Sequence, residues 1–288
     1  MSLLETQEYN PWLQGIFDQI FYACVSRAFQ YFPLLWNLVQ RLIPQSVHEM
    51  AEASVKFSAD RVDKRLAMEI DRPDIFGLVL KHETGSKMPR KEMHANADLL
   101  MIAGTETTAT MLSGLTYNLL ANPGAMSRLT KEIRGTFESG SDINSDALAR
   151  LPVNYSPTLH QDATNPYQYL SACLEEGLRT FPSVGEGVRR KTNATSGATI
   201  CGLYIPPNVS KAATQPTRTK LTSEIKVGVS VPHFAAYRSS YNFVDSDSFL
   251  PERWLSPGTE GFDARFSTDK KGVLQPFSTG PRNCLGMK

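Results

Sequence analysis

One stretch near the end of the chain, Pro276-Phe277-Ser278-Thr279-Gly280-Pro281-Arg282-Asn283-Cys284-Leu285-Gly286, constrains it more than any other. It sets a cysteine in a loop bracketed by glycines, with an arginine two residues upstream and a phenylalanine seven upstream. A thiolate that ligates a metal needs a turn that exposes sulfur, donors aimed at it and positive charge nearby. Gly280 can take the positive φ of a tight turn, and Gly286 lets a flat cofactor approach the backbone. Phe277 can cover the sulfur, and Arg282 can meet a carboxylate. A lone buried cysteine is more often inert core, so the ligand reading of Cys284 rests on this whole setting.

The second organising element is a helix from about Arg90 to Leu120. At 1.5 Å per residue it would run roughly 45 Å, enough to cross a domain. Leu99, Leu100, Met101, Ile102 and Ala103 make it apolar all round, which predicts burial. Gly104-Thr105-Glu106-Thr107-Thr108 then breaks that character. Glycine costs a helix about 0.8–1 kcal/mol relative to alanine, and a buried carboxylate needs a partner. Such a conflict often marks a functional position, the plainer alternative being an exposed polar face on an amphipathic helix. Gly104 leaves room beside the helix, and a threonine hydroxyl can open the backbone ladder. Glu106 and Thr107 set an acid beside an alcohol, which can relay protons from solvent.

Further along, Glu176-Gly177-Leu178-Arg179 stacks a carboxylate and a guanidinium at i, i+3 on a helix expected over 167–179. Pro251-Glu252-Arg253-Trp254 offers a second arginine. Phe-x-x-Gly-x-Arg-x-Cys-x-Gly, Ala-Gly-Thr-Glu-Thr-Thr, Glu-x-x-Arg and Pro-Glu-Arg-aromatic resemble, together and in register along the chain, the signatures of the cytochromes P450, the haem-thiolate monooxygenases. The wording at Leu115–Asn122 and Phe234–Trp254 is most similar to fungal members acting on terpenoid or polyketide secondary metabolites, such as the isotrichodermin hydroxylases.

That resemblance implies a mainly α fold with small β-sheets, and a haem with Cys284 as axial ligand. Phe277, Gly280, Arg282 and Gly286 would complete the haem loop. Gly104 would border the dioxygen groove, with Glu106 and Thr107 as the catalytic proton relay. Arg190, in Val184-Gly185-Glu186-Gly187-Val188-Arg189-Arg190, would pair a propionate, with Arg189 the alternative. Glu176, Arg179 and Arg253 would form a buried, bidentate structural network. The implied partners are dioxygen, an apolar small-molecule substrate and a NADPH-cytochrome P450 reductase. The implied location is the cytosolic face of the endoplasmic reticulum membrane.

Composition agrees with a folded protein: 288 residues, 41% hydrophobic and 20% charged, enough for a large core. A net charge of +1 gives no electrostatic reason for a nucleic-acid partner. The four cysteines are scattered, which suggests reduced thiols in a cytosol-facing compartment. Other chemistries lack their motifs: no His-Glu-x-x-His, phosphate-binding glycine loop or Gly-x-Ser-x-Gly turn occurs.

The remaining elements follow from periodicity. Amphipathic helices are expected at 11–30 and 33–43, their apolar faces either core or laid on a membrane surface. Polar residues interrupt that segment too often for a spanning helix. A helical pattern over 46–81 breaks at Asp71-Arg72-Pro73-Asp74. Further helices are expected at 125–137 and, as a short turn, at 146–151. A hairpin is expected at 199–204, and a strand at 227–231 passing into a turn at 234–237. Residues 152–165 and 211–226 resemble insertions relative to the family, for which translated introns are one source.

The resemblance covers about the C-terminal half of a family member, so the sequence reads as a fold truncated at both ends. The anchor, the Trp-x-x-x-Arg haem contact and the helix following the cysteine are not found in it. Two alternatives to a monooxygenase follow: a non-catalytic fragment that holds haem poorly, with the Leu99–Ala103 face partly exposed, or a haem-thiolate isomerase or dehydratase.

Overall fold

A computed structural model of the chain describes residues 11–29, 32–68, 74–81, 88–144, 168–188, 190–191, 196–205 and 228–287. The expected turn at 146–151, the 152–165 and 211–226 segments and Arg189 lie outside the described residues. The described helices are α1 (Pro11–Phe29), α2 (Pro33–Leu42), α3 (Gln45–Leu66), α4 (Ile75–Lys81), α5 (Arg90–Ala121), α6 (Pro123–Thr136), α7 (Gln168–Thr180) and α8 (His233–Tyr237). The strands β1 (Arg190–Lys191), β2 (Ala198–Ile200), β3 (Leu203–Ile205) and β4 (Gly228–Val229) are short. They make two antiparallel pairs, β1 with β4 and β2 with β3. The mainly α class with small sheets is what the sequence implies.

Two compact units divide inside α5, at Glu106 and Thr107. In the first, α1 packs on α2 and α3. Val62 of α3 meets Met93 and Ala97 of α5, with Leu66, Phe76 and Met88 around them. Asp63 accepts from Arg90 Nε and pairs with His94 Nε2, both at 2.7 Å. These charge-assisted contacts tie α3 to the start of α5.

The second unit has the larger core. Leu115 and Leu119 of α5 join Leu129 of α6, Tyr169 and Cys173 of α7, and Tyr237, Phe243, Trp254 and Leu274. Proline at the first position starts α6, where its missing N–H costs nothing. The start of α7 is capped from α6: both Glu132 carboxylate oxygens accept, at 2.8 Å, the backbone N–H of Tyr169 and Leu170. They satisfy two donors that the helix itself cannot.

Helix α5 departs from its expected burial. Leu99 is 64% exposed, Ala103 and Gly104 are exposed, and Leu100, Met101 and Ile102 are half-buried. Its buried residues fall at i, i+4 spacing, Met93–Ala97 at one end and Leu115–Leu119 at the other. A single packed stripe covers one face of a helix and leaves an all-round apolar stretch partly uncovered. The partly exposed Leu99–Ala103 face is the alternative that the sequence raised.

The β2–β3 hairpin turns through Cys201 and Gly202, both at positive φ (52° and 78°). Two left-handed central residues match the twist of a two-residue hairpin. Residues 233–237, expected as a turn, form a five-residue helix after Pro232. So short an element shows no period in sequence.

Candidate functional site

Three of the sequence-nominated residues converge behind the core of the second unit. Arg179 of α7 donates to both oxygens of Glu176, Nε to Oε2 and Nη2 to Oε1, each at 2.8 Å. Arg253 Nε lies 3.2 Å from Glu176 Oε2. Glu176 and Arg179 are fully buried, and Arg253 nearly so. Sequence reading missed the rest of this cluster. Trp254 Nε1 donates to Glu176 Oε2 at 2.8 Å, and the Leu250 N–H to Oε1 at 2.9 Å. Asp269 takes the other end of Arg253 in a very short ion pair. Arg179 also donates to the carbonyls of Tyr237, Ser246 and Ser248. Every lone pair and proton of a buried ion pair needs such a partner for the desolvation cost to be offset. Trp254 stands inside the quoted motif and could have been nominated; Asp269 carries no local signal.

Beside this cluster on α7, burial pushes the carboxyl of Glu175 up to about 7. Between about pH 4.5 and 7 the unfolded chain has then lost a proton that the folded chain keeps, so stability falls as pH rises through that window and levels above it. Glu175→Gln is expected to flatten the dependence. Urea unfolding at about pH 5 and about pH 8 tests this, and equal loss of stability in both proteins would refute it.

The cysteine loop is built from two turns. The Ser278 N–H donates to the Gln275 carbonyl, and the Asn283 N–H to the Gly280 carbonyl, both at 3.0 Å. Ser278 and Gly280 take positive φ, 60° and 82°. Cys284 N–H then donates to the Phe277 carbonyl at 2.9 Å, closing the loop. The Cys284 side chain is exposed. By contrast Cys173 is buried, and burial pushes its thiol up to about 12.

Arg190, on β1, reaches this loop. Its Nη2 donates to Ser278 Oγ at 2.9 Å and lies 3.5 Å from the Arg282 carbonyl. The loop thus has one guanidinium, from Arg190, held against its backbone. The second, of Arg282, is exposed. The approach of β1 depends on Gly187, at φ +68°, where a Cβ would collide with the Val231 carbonyl.

These residues fit a haem. A Cβ at Gly286 would stand 3.7 Å from the Cys284 sulfur, and one at Gly280 would meet nothing within 4 Å. Glycine at 286 therefore keeps one side of the sulfur uncovered, and Gly280 borders open space. Among the described residues no group of three or more His, Cys, Asp or Glu is placed to hold a metal ion. A single thiol suits an iron already held by four porphyrin nitrogens better than a bare ion, which needs several protein ligands.

On α5, Gly104 is exposed, and Glu106 and Thr107 are half-buried. Gly104 and Glu106 belong to the first unit and Thr107 to the second. Ser183 Oγ donates to the Thr107 carbonyl at 2.6 Å. This second donor loads a backbone acceptor in the middle of the helix.

The mainly α fold and the glycine-flanked loop are those of a haem-binding class of protein. The sequence profile of the family Cytochrome P450 matches residues 3–210 and 224–288, and the chain belongs to that family. The profile skips 211–223, inside one of the two insertion-like segments, while 152–165 falls within the matched range. Among curated relatives, the cytochrome P450 monooxygenase efuB of Hormonema carpetanum is 41% identical over 99% of this chain and 49% of its own length. The cytochrome P450 monooxygenase FUM2 of Gibberella moniliformis is 43% identical over 99% of this chain and 52% of its own. Averantin hydroxylase of Dothistroma septosporum is 32% identical over 98% and 46%. The chain thus spans about half the length of these relatives. Among solved structures, a mutant cytochrome P450DA heme domain matches with a TM-score of 0.66 at 18% identity, over 99% of this chain and 52% of that one. At that identity the likeness speaks for the fold.

Proposed function

We propose that this chain carries the haem-binding part of a monooxygenase that hydroxylates or epoxidises an apolar small molecule, of terpenoid or polyketide type, in fungal secondary metabolism. The observation that carries the reading is the exposed thiol of Cys284 on a glycine-flanked loop that Arg190 grips. Cys284 would ligate the iron, with Phe277, Gly280 and Gly286 shaping the loop against the ring. Arg190 and Arg282 would pair the propionates, and Gly104 would border the dioxygen site. A thiolate-ligated haem supplies reductive cleavage of dioxygen, one oxygen atom entering the substrate and the other leaving as water.

The chain's own task in that chemistry is to deliver two protons. Glu106 and Thr107 are adjacent on α5, the carboxyl able to collect a proton from solvent and the hydroxyl able to hand it on. The two electrons would come from NADPH through a reductase at the cytosolic face of the endoplasmic reticulum membrane. No described helix is long and apolar enough to cross a membrane.

The test is made in a chain extended to the length of the relatives, supplied with haem, a NADPH-cytochrome P450 reductase and a panel of apolar terpenoids and polyketides. Oxygenated product that depends on NADPH supports the reading. Haem-bound protein that isomerises or dehydrates substrates without the reductase would replace it. Thr107→Ala is expected to leave haem content unchanged and to divert reducing equivalents to peroxide, lowering product per NADPH by roughly 10²-fold or more, the usual contribution of a positioned proton donor. Unchanged product per NADPH would make Thr107 a packing residue only.

A further inference from the structure

Tyr237 occupies a position that no motif marked. It is fully buried at the end of α8, and its two polar ends face different parts of the second unit. At the backbone end, its carbonyl accepts from Arg179 Nη1 at 2.8 Å, so it is held by the Glu176–Arg179 cluster. At the side-chain end, its hydroxyl oxygen accepts the Gln275 N–H at 2.9 Å. Burial pushes the phenol up to about 12, so it remains a neutral hydroxyl across the working range. The ring between these ends is fixed by stacking on His233, with centroids 5.1 Å apart and planes 12° apart. Burial holds His233 below its ordinary range, and the Val184 backbone hydrogen-bonds its ring.

Gln275 is where the cysteine loop leaves the core. Its carbonyl closes the first turn by accepting from Ser278, and its side-chain Nε2 donates to the Gly272 carbonyl at 3.1 Å. Its N–H is thus the remaining backbone anchor, and Tyr237 holds it. From that root the turn sets Phe277, whose carbonyl accepts the Cys284 N–H. Four hydrogen bonds therefore join the buried guanidinium of Arg179 to the backbone of Cys284, and Tyr237 supplies two of them.

We propose that Tyr237 is a positioning residue for the Cys284 loop: its hydroxyl holds the root of the loop while its backbone carbonyl is held by the Glu176–Arg179 cluster, and so it fixes where the thiol is presented. Its catalytic meaning rests on Cys284 being the haem ligand, but the clamp itself can be read without haem. A buried acceptor suits the role because an amide left unpaired in the interior is strongly disfavoured, which keeps the loop root from drifting.

The experiment compares the 288-residue chain with Tyr237→Phe, which keeps the ring and the stack and removes only the hydroxyl. Amide hydrogen exchange is followed at Ser278 and Cys284, with α7 as internal reference. Exchange at those two amides is expected to quicken roughly tenfold, the scale of one net hydrogen bond, while α7 is unchanged. In a Gln275→Pro background, which has no N–H to donate, Tyr237→Phe is expected to add nothing. Unchanged exchange in the loop, or a rise matched in α7, overturns the proposal. So does an undiminished Tyr237→Phe effect in the Gln275→Pro background.

A second readout uses the haem-loaded, extended protein. There Tyr237→Phe is expected to raise the fraction of the reduced carbonyl complex that lacks the thiolate Soret band. The core variant Phe266→Leu, at equal loss of overall stability, is expected not to. An equal rise in both variants would reduce Tyr237 to ordinary packing and overturn the proposal. If the parent protein shows no thiolate band at all while the exchange difference persists, the ligand role of Cys284 fails and the clamp stands.

Discussion

Glu176→Ala is expected to leave residues 107–288 unable to hold a fixed tertiary structure. The carboxylate is fully buried and receives both guanidiniums, the Trp254 indole N–H and the Leu250 amide. Alanine removes every one of those acceptors together and leaves the side chains of Arg179 and Arg253 buried. Breaking one buried ion pair by deleting a partner costs about 3–5 kcal/mol. Here one deletion breaks two pairs, and whole domains are stable by only about 5–15 kcal/mol. Asp269 still faces Arg253, so Arg179 suffers the larger loss. The result is read by near-UV circular dichroism and by exchange in α7, where protection is expected to vanish. A cooperative melt within about 2–4 °C of the parent, the shift that about 1 kcal/mol gives in a domain of roughly this size, would show the cluster to be dispensable. The tool that separates charge from volume is Arg253→Met. It keeps an apolar chain against Phe266 and leaves Asp269 with the Val244 N–H but no cation, and it is expected to be milder than Glu176→Ala.

The contrast between these residues and Tyr237 shows what a sequence can carry. Glu176 and Arg179 are three apart on one helix, and helical geometry alone stacks them. Arg253 follows from a four-residue motif. The long helix, the short helix at 75–81 and the hairpin at 198–205 were legible because period and turn chemistry are local properties. Asp269 and Tyr237 were not, since each meets its partner across a connection that holds only short 3-10 helices, which leave no period in sequence: Arg253 with Asp269, Gln275 with Tyr237. The exposure of Leu99 was misjudged as burial for a related reason. Apolar character states what a helix face favours, while the neighbours that cover it come from elsewhere in the chain. Of the cysteine loop itself, the positive-φ turn at Gly280 was legible, because turn chemistry is local. The contact of Arg190 with Ser278 joins residues 88 positions apart and needed the fold.

Cys284→Ala, in a chain extended to the length of the relatives, is expected to abolish the red-shifted Soret band of the reduced carbonyl complex. That band reports a thiolate opposite the bound carbon monoxide, and the loop contains one sulfur. None of the other cysteines is a substitute: Cys173 is sealed in the core with its thiol pushed up to about 12, and Cys24 and Cys201 belong to α1 and to the hairpin turn. The loop itself is expected to survive the change. Its closing bond is made by the Cys284 backbone N–H to the Phe277 carbonyl, which alanine keeps. Without haem the side chain is exposed, so the loss of folding stability in the haem-free protein should stay within about 0.5 kcal/mol, as for most surface substitutions. Unaltered melting of the haem-free protein, with complete loss of the band after haem is supplied, therefore assigns the effect to ligation rather than to unfolding. Retention of the band in Cys284→Ala would remove the haem-thiolate reading of this loop, whatever its family.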